Sequence, residues 1–188
     1  MKQSEIIKQL SPEELKKQLI LSQLIFLIIS LILSFFLFDQ LSDWLQLFKW
    51  DPKTIFYYGV IPGLIIVIIE IMLYLIFPKS WLDDGGINEK VFKDRPIHDI
   101  FLIAFIVAIC EEFLFRGLIQ TVFGYLFAST LFAVVHVRYL KKPLLFIAVV
   151  ATSFVIGYLY EMTGNLLVTI TLHFIVDFLL GLAIRFEK

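Results

Sequence analysis

The chain has 188 residues, of which 60% are hydrophobic, with 20 Phe, one Cys and a formal net charge of −1. That composition lies outside the soluble globular range and inside the membrane class, and it describes one membrane domain over residues 1–188. The near-neutral charge, with no Lys/Arg tract interleaved with aromatics, excludes a nucleic-acid surface. The lipid bilayer is the partner that composition names.

Met1 to Gln18 is charged, and Ser11-Pro12-Glu13-Glu14 reads as a helix start, with Ser11 as N-cap, Pro12 at the first helical position and Glu14 closing a capping box. This segment is expected to form a short interfacial helix. Leu19 to Phe38 is an uncharged run of about 20 residues, enough to cross roughly 30 Å of hydrocarbon, and is the first span. No small-x-small cleavage site follows it, so it is expected to stay in the mature protein. Asp39 to Thr54 is a polar connector with Trp44 and Trp50 suited to the interface. Ile55 to Phe77 is the second span, with a kink expected at Pro62-Gly63 and a carboxylate, Glu70, in its inner half. Glu70 is paired or protonated in one reading and lines a water-filled cavity in the other.

Pro78 to Asp99 is the longest hydrophilic segment, with a turn signal at Asp83-Asp84-Gly85-Gly86 and an interfacial His98, and it carries no catalytic pattern. The third span runs from about Ile100 to Phe123, and Gly124 supplies the turn before apolar sequence resumes from Tyr125 to His136. Pro143 opens a fifth span ending near Tyr160. Glu161 to Asn165 is a connector, and Leu166 to Ile184 is the sixth span. The expected fold is an all-α polytopic membrane protein, a bundle of about six transmembrane helices.

Basic residues check that count independently. With a cytoplasmic N-terminus, the inner segments hold Lys2, Lys8, Lys16, Lys17, Lys79, Lys90, Lys93, Arg95, Arg138, Lys141, Lys142, Arg185 and Lys188, and the outer connectors only Lys49 and Lys53. The positive-inside rule then puts both termini in the cytoplasm, in a cell (plasma) membrane protein.

Ionised groups inside a span cost a few kcal/mol each, so Glu111, Glu112 and Arg116 in the third span mark a site. Cys110 beside them reads as a small buried hydrophobe. Glu112 and Arg116, four apart, share a helix face and can pair, which leaves Glu111 about 100° round without that partner. His173 and Asp177 are again four apart, so the carboxylate can orient the imidazole. At about 1.5 Å per residue, Glu111 lies roughly 16 Å above the inner end of its helix and His136 roughly 18 Å below the turn at Gly124. His173 lies roughly 12 Å from the outer end of the sixth span. A Glu and two His from three helices therefore come to one height. The basic cluster Arg138 to Lys142 follows His136 too soon for a helix still crossing a bilayer, which implies that the fourth helix ends in a hydrated cavity.

A carboxylate and two imidazoles on water form a hydrolytic arrangement. Glu111, His136 and His173 either hold Zn²⁺, which acidifies water, or Glu111 is the general base with imidazoles sharing the water and stabilising the oxyanion. The HExxH zinc motif is absent. A transporter with intramembrane Glu and His, and a non-catalytic scaffold or immunity factor, are the alternatives.

These residues resemble the motifs of the CAAX prenyl endoprotease and bacteriocin-processing (Abi) family of intramembrane proteases. Glu111-Glu112-Phe113-Leu114-Phe115-Arg116 matches Glu-Glu-x-x-x-Arg, Phe132 to His136 matches Phe-x-x-x-His, and His173 to Asp177 matches His-x-x-x-Asn/Asp. The resemblance covers a core of about residues 100–184; the first two spans carry no motif. It implies a (metallo)endopeptidase acting on a membrane-associated peptide or protein near the cytoplasmic face. Glu111 would activate water, His136 would be its partner or a metal ligand, His173 and Asp177 would form the oxyanion or ligand pair, and Glu112 and Arg116 would be mainly structural. Asp177 departs from the Asn form of the motif, because an ionised Asp cannot donate the hydrogen bond an Asn can.

Overall fold

In a computed structural model, residues 10–82, 84–136, 139 and 142–187 are described. The turn residue Asp83 and the basic residues Lys2, Lys8, Arg138, Lys141 and Lys188 lie outside them. The fold is an all-α polytopic membrane bundle, and no strand occurs among the described residues.

Helix α1 (Pro12–Leu37) begins as expected: Ser11 Oγ accepts the Glu14 amide and the Glu14 carboxylate accepts the Ser11 amide. Of the segment expected to form an interfacial helix, residues 12–18 run straight into the span as its first turns, and residues 1–9 lie outside the described residues. Its outward residues, Phe35 and Phe36 among them, are exposed, whereas its buried ones are Leu15, Gln23, Ser30 and Ser34. This is the inside-out pattern of a lipid-facing helix, where small and polar side chains mark the protein-facing stripe.

A short helix α2 (Asp43–Gln46) brings Trp44 into the bundle instead of the interface. Its ring stacks on Phe113 at 5.0 Å, lies 5.2 Å from Phe38 and is 8% exposed, while Trp50 stays on the surface. Room for it comes from Gly117, where a Cβ would lie 2.6 Å from the indole.

Helix α3 (Pro52–Ile76) contains a π segment, Phe56–Val60, directly before Pro62. The proline has no N–H to continue the regular ladder, and the irregularity appears one turn ahead of it. Gly59 and Gly63, four apart, face the last helix closely enough that added Cβ atoms would meet the Val168 and Leu172 carbonyls at 3.0 and 3.2 Å.

The hydrophilic segment folds into α4 (Lys79–Leu82) and α5 (Ile87–Phe92), and Arg95 then ties one end of the bundle together. Its guanidinium donates to Val91 O, Pro12 O and the Glu13 carboxylate, its own carbonyl accepts from Arg185, and Asp99 pairs with Lys16 at 2.8 Å. At the opposite end Asn165 exchanges hydrogen bonds with the Lys49 backbone, and the Leu166 amide donates to Leu47 O.

The third span is α6 (Ile97–Glu112) followed without a break by a π segment, Phe113–Gln120, and a final turn, Thr121–Phe123. The π turns begin immediately after the two glutamates. Every residue from Leu114 to Gln120 is buried, which suits a widened helix surrounded by neighbours.

Helix α7 (Tyr125–Val135) has 11 residues and reaches about 16 Å, half of a hydrocarbon core, ending at His136. The fourth element is thus a half-span, and among the described residues four helices are long and apolar enough to cross a membrane: α1, α3, α8 (Pro143–Thr163) and α9 (Leu166–Phe186). Helix α8 runs through Glu161, Met162 and Thr163, so the connector shrinks to left-handed Gly164 and the N-cap Asn165. Helix α9 is the centre of the bundle: 39% of its apolar window is buried, against 17% for α1 and α3.

Candidate active site

The site gathers on His173, in the second quarter of α9. His173 is 7% exposed, and its two ring nitrogens meet carboxylates from two elements. Nδ1 lies 2.8 Å from Glu112 Oε1, at the end of α6. Nε2 lies 3.5 Å from Asp177 Oδ2, one turn along the same helix, and 4.0 Å from Glu111 Oε2. Adjacent residues on α6 point about 100° apart, so Glu111 and Glu112 reach different edges of one imidazole.

Glu112 therefore has a partner that local spacing did not reveal. The expected pair with Arg116 is present as an ion pair, with Nε 3.6 Å from Oε2, beyond hydrogen-bonding distance. Arg116 belongs to the π segment, whose wider turns carry residue i+4 off the axis along which a regular helix would align it. Its Nη2 instead donates to the Ser153 carbonyl at 2.9 Å and hydroxyl at 3.2 Å, and its guanidinium covers the Phe132 ring at 4.7 Å. Both Glu112 and Arg116 are fully buried.

His136 ends α7. Its Nδ1 lies 2.7 Å from Phe132 O, a carbonyl that only accepts, so Nδ1 carries a hydrogen. The Phe132 ring touches both imidazoles, with centroids 4.7 Å from His136 and 6.0 Å from His173. The first motif residue of α7 is thus the apolar wall joining the two histidines.

Glu111 accepts a hydrogen bond from Gln23 Nε2 of α1 at 2.9 Å, with both residues buried. The first span, which carries no family motif, contributes to the site after all. The available signal was one amide in an otherwise uncharged apolar run. Glu70 of α3 accepts from Thr152 of α8 at 3.4 Å and interacts electrostatically with Asp177, so it borders the cluster instead of standing apart. Cys110 is buried, as its surroundings suggested, and His98 is exposed beside Asp99.

Glu111, His136 and His173 are zinc ligands in one of the two readings of the sequence, the other making Glu111 the general base. No group of three or more His, Cys, Asp or Glu side chains arranged to hold a metal is found among the described residues. His173 Nδ1 meets the Glu112 carboxylate, and Nε2 faces the carboxylates of Asp177 and Glu111, so an outer carboxylate orients the imidazole towards the other two.

The bundle and its buried carboxylate–imidazole cluster define an intramembrane helical protein whose polar groups converge inside the membrane-spanning layer. Residues 93–179 match the family model described as type II CAAX prenyl endopeptidase Rce1-like. "Uncharacterized protein YpbD" of Bacillus subtilis (strain 168) is 41% identical over 167 residues, 89% of this chain and 88% of that one. No solved structure matches. The chain belongs to the type II CAAX prenyl endopeptidase Rce1-like family, and the matched stretch takes in Glu111, His136, His173 and Asp177.

Proposed function

We propose that this protein is a membrane-embedded endopeptidase that cuts a membrane-associated peptide or small protein near the cytoplasmic face, with Glu111 as the base that activates water. The observation that carries this reading is the 4.0 Å separation of Glu111 Oε2 and His173 Nε2, too long for a direct hydrogen bond and suited to one water shared between them.

Glu111 takes a proton from that water as its oxygen attacks the scissile carbonyl carbon. The carbonyl oxygen becomes an oxyanion, and His173 Nε2–H stabilises it while Glu112 holds Nδ1–H on the far edge. Glu111 then returns the proton to the leaving amine as the C–N bond breaks, so protons balance over the cycle. His136 offers Nε2 from the end of α7 as a second partner for water or substrate. Asp177, which as a carboxylate accepts and does not donate, orients His173 instead of binding the oxyanion itself. Helix α7 stops halfway through the layer, and this gives water and peptide a route in from one side. The distribution of basic residues makes that side cytoplasmic, with both termini facing it in the cell membrane.

The test is to reconstitute the full chain in vesicles with two probes, a farnesylated CAAX peptide and an unprenylated membrane-anchored peptide, and to read products by mass spectrometry. The reading predicts an internal cut in at least one probe close to its anchor. Folded protein that leaves both intact argues for a binding role.

A further inference from the structure

The amide of Gln23 is placed where no helix-packing requirement puts it. Helix α1 presents apolar side chains to lipid, and its buried Ser30 and Ser34 hydroxyls turn back to their own helix, donating to Phe26 O and Leu31 O. Contact between α1 and the third span is already made by apolar groups, including Phe26 edge-on to Phe115 at 6.1 Å. Gln23 alone among these three polar residues reaches across, and it reaches Glu111.

Its orientation is set by chemistry. An ionised carboxylate only accepts, so the amide must turn its NH₂ towards Glu111; the flipped amide would set two acceptors against each other. The bond is made to Oε1, 2.9 Å from Gln23 Nε2, whereas the oxygen 4.0 Å from His173 is Oε2. One oxygen of the carboxylate is thereby occupied by protein and the other is left over. The carbonyl end of the amide, Oε1 of Gln23, is buried and has no hydrogen-bond partner among the described residues. Polar glue between membrane helices is expected to satisfy both ends of an amide, because an orphaned acceptor is costly away from water.

We propose that Gln23 is a positioning residue of the active site: it holds Glu111 by Oε1 so that Oε2 is the oxygen presented to water beside His173. The proposal rests on the reading of Glu111 as the base, and it adds a fourth element, α1, to a site whose family match begins at residue 93. A carboxylate held at one oxygen cannot rotate away from the water, and loss of such an outer partner typically costs 10- to 100-fold.

The experiment uses the full chain in vesicles with an internally quenched farnesylated CAAX peptide. Gln23→Met keeps length and volume and removes both polar ends. The expected result is a kcat lowered by about 10- to 100-fold, with KM within about two-fold and the melting temperature in detergent essentially unchanged. Gln23→Glu, which faces Glu111 with a like charge and no donor, is expected to lower kcat at least as far. On a Glu111→Asp background, where the carboxylate is already withdrawn by one methylene, Gln23→Met is expected to add less than about a two-fold loss, because the two residues act as one unit. A Gln23→Met protein with wild-type kcat overturns the proposal, as does an equal loss on both backgrounds accompanied by a lowered melting temperature, which is the signature of a packing residue. Either result with Glu111→Ala inactive leaves the Glu111 mechanism standing. A Glu111→Ala protein that cleaves like wild type removes both.

Discussion

Glu111→Ala is expected to lower cleavage by about 10²- to 10⁴-fold, the range of a lost general base, while the protein stays folded. The two halves of that expectation come from different contacts. Glu111 meets Gln23 at 2.9 Å and His173 at 4.0 Å, and the contact of α1 with the third span is also made by apolar groups such as Phe26 and Phe115. Its removal strands the Gln23 Nε2 donor, a cost of about 1–3 kcal/mol, which a bundle packed through α6 and α9 can absorb. Initial rates per folded molecule, with melting curves on the same samples, separate the effects. Full activity in the mutant would refute the mechanism.

Arg116→Ala is expected to do the reverse, costing about 3–5 kcal/mol of stability because it removes the guanidinium partner of a buried carboxylate. Arg116 and Glu112 are both fully buried, and the guanidinium also binds Ser153 of α8 and covers Phe132 of α7. The mutant therefore loses an ion pair, one of the links from the third span to α8 and a packed side chain together. Glu112 keeps His173 Nδ1, so the molecules that do fold retain the imidazole's partner. A large fall in melting temperature and yield, with cleavage per folded molecule much less affected, is the expected pattern. An unchanged melting temperature would show that the pair contributes nothing net.

Hydropathy sufficed to read most of the bundle, because a span's length is set by the bilayer and a helix rises by a constant amount per residue. The same arithmetic put Glu111 and His173 at one depth, and the two side chains do meet. What escaped was whatever depends on contact between distant elements. Trp44 reads as interfacial because an indole suits both the interface and a core. Only the missing Cβ of Gly117, with a Cβ position 2.6 Å from the ring, selects the core. The π segment after Glu112 has no residue signature, so the Glu112–Arg116 spacing suggested a closer pair than the 3.6 Å contact that forms. Spacing within one helix cannot show that Glu112 reaches His173, 61 residues away in the chain. Gln23 was visible as a polar residue in an apolar run, and its target was not.

The central claim is that a carboxylate and an imidazole activate the water here. It is tested most directly by measuring metal content and cleavage on the same preparation, purified in detergent without chelator, for wild type and His136→Ala. The account predicts wild-type protein that cleaves with no stoichiometric zinc and stays active after chelation. About one zinc per chain, lost in His136→Ala, with activity that disappears on chelation and returns with added metal, would contradict it.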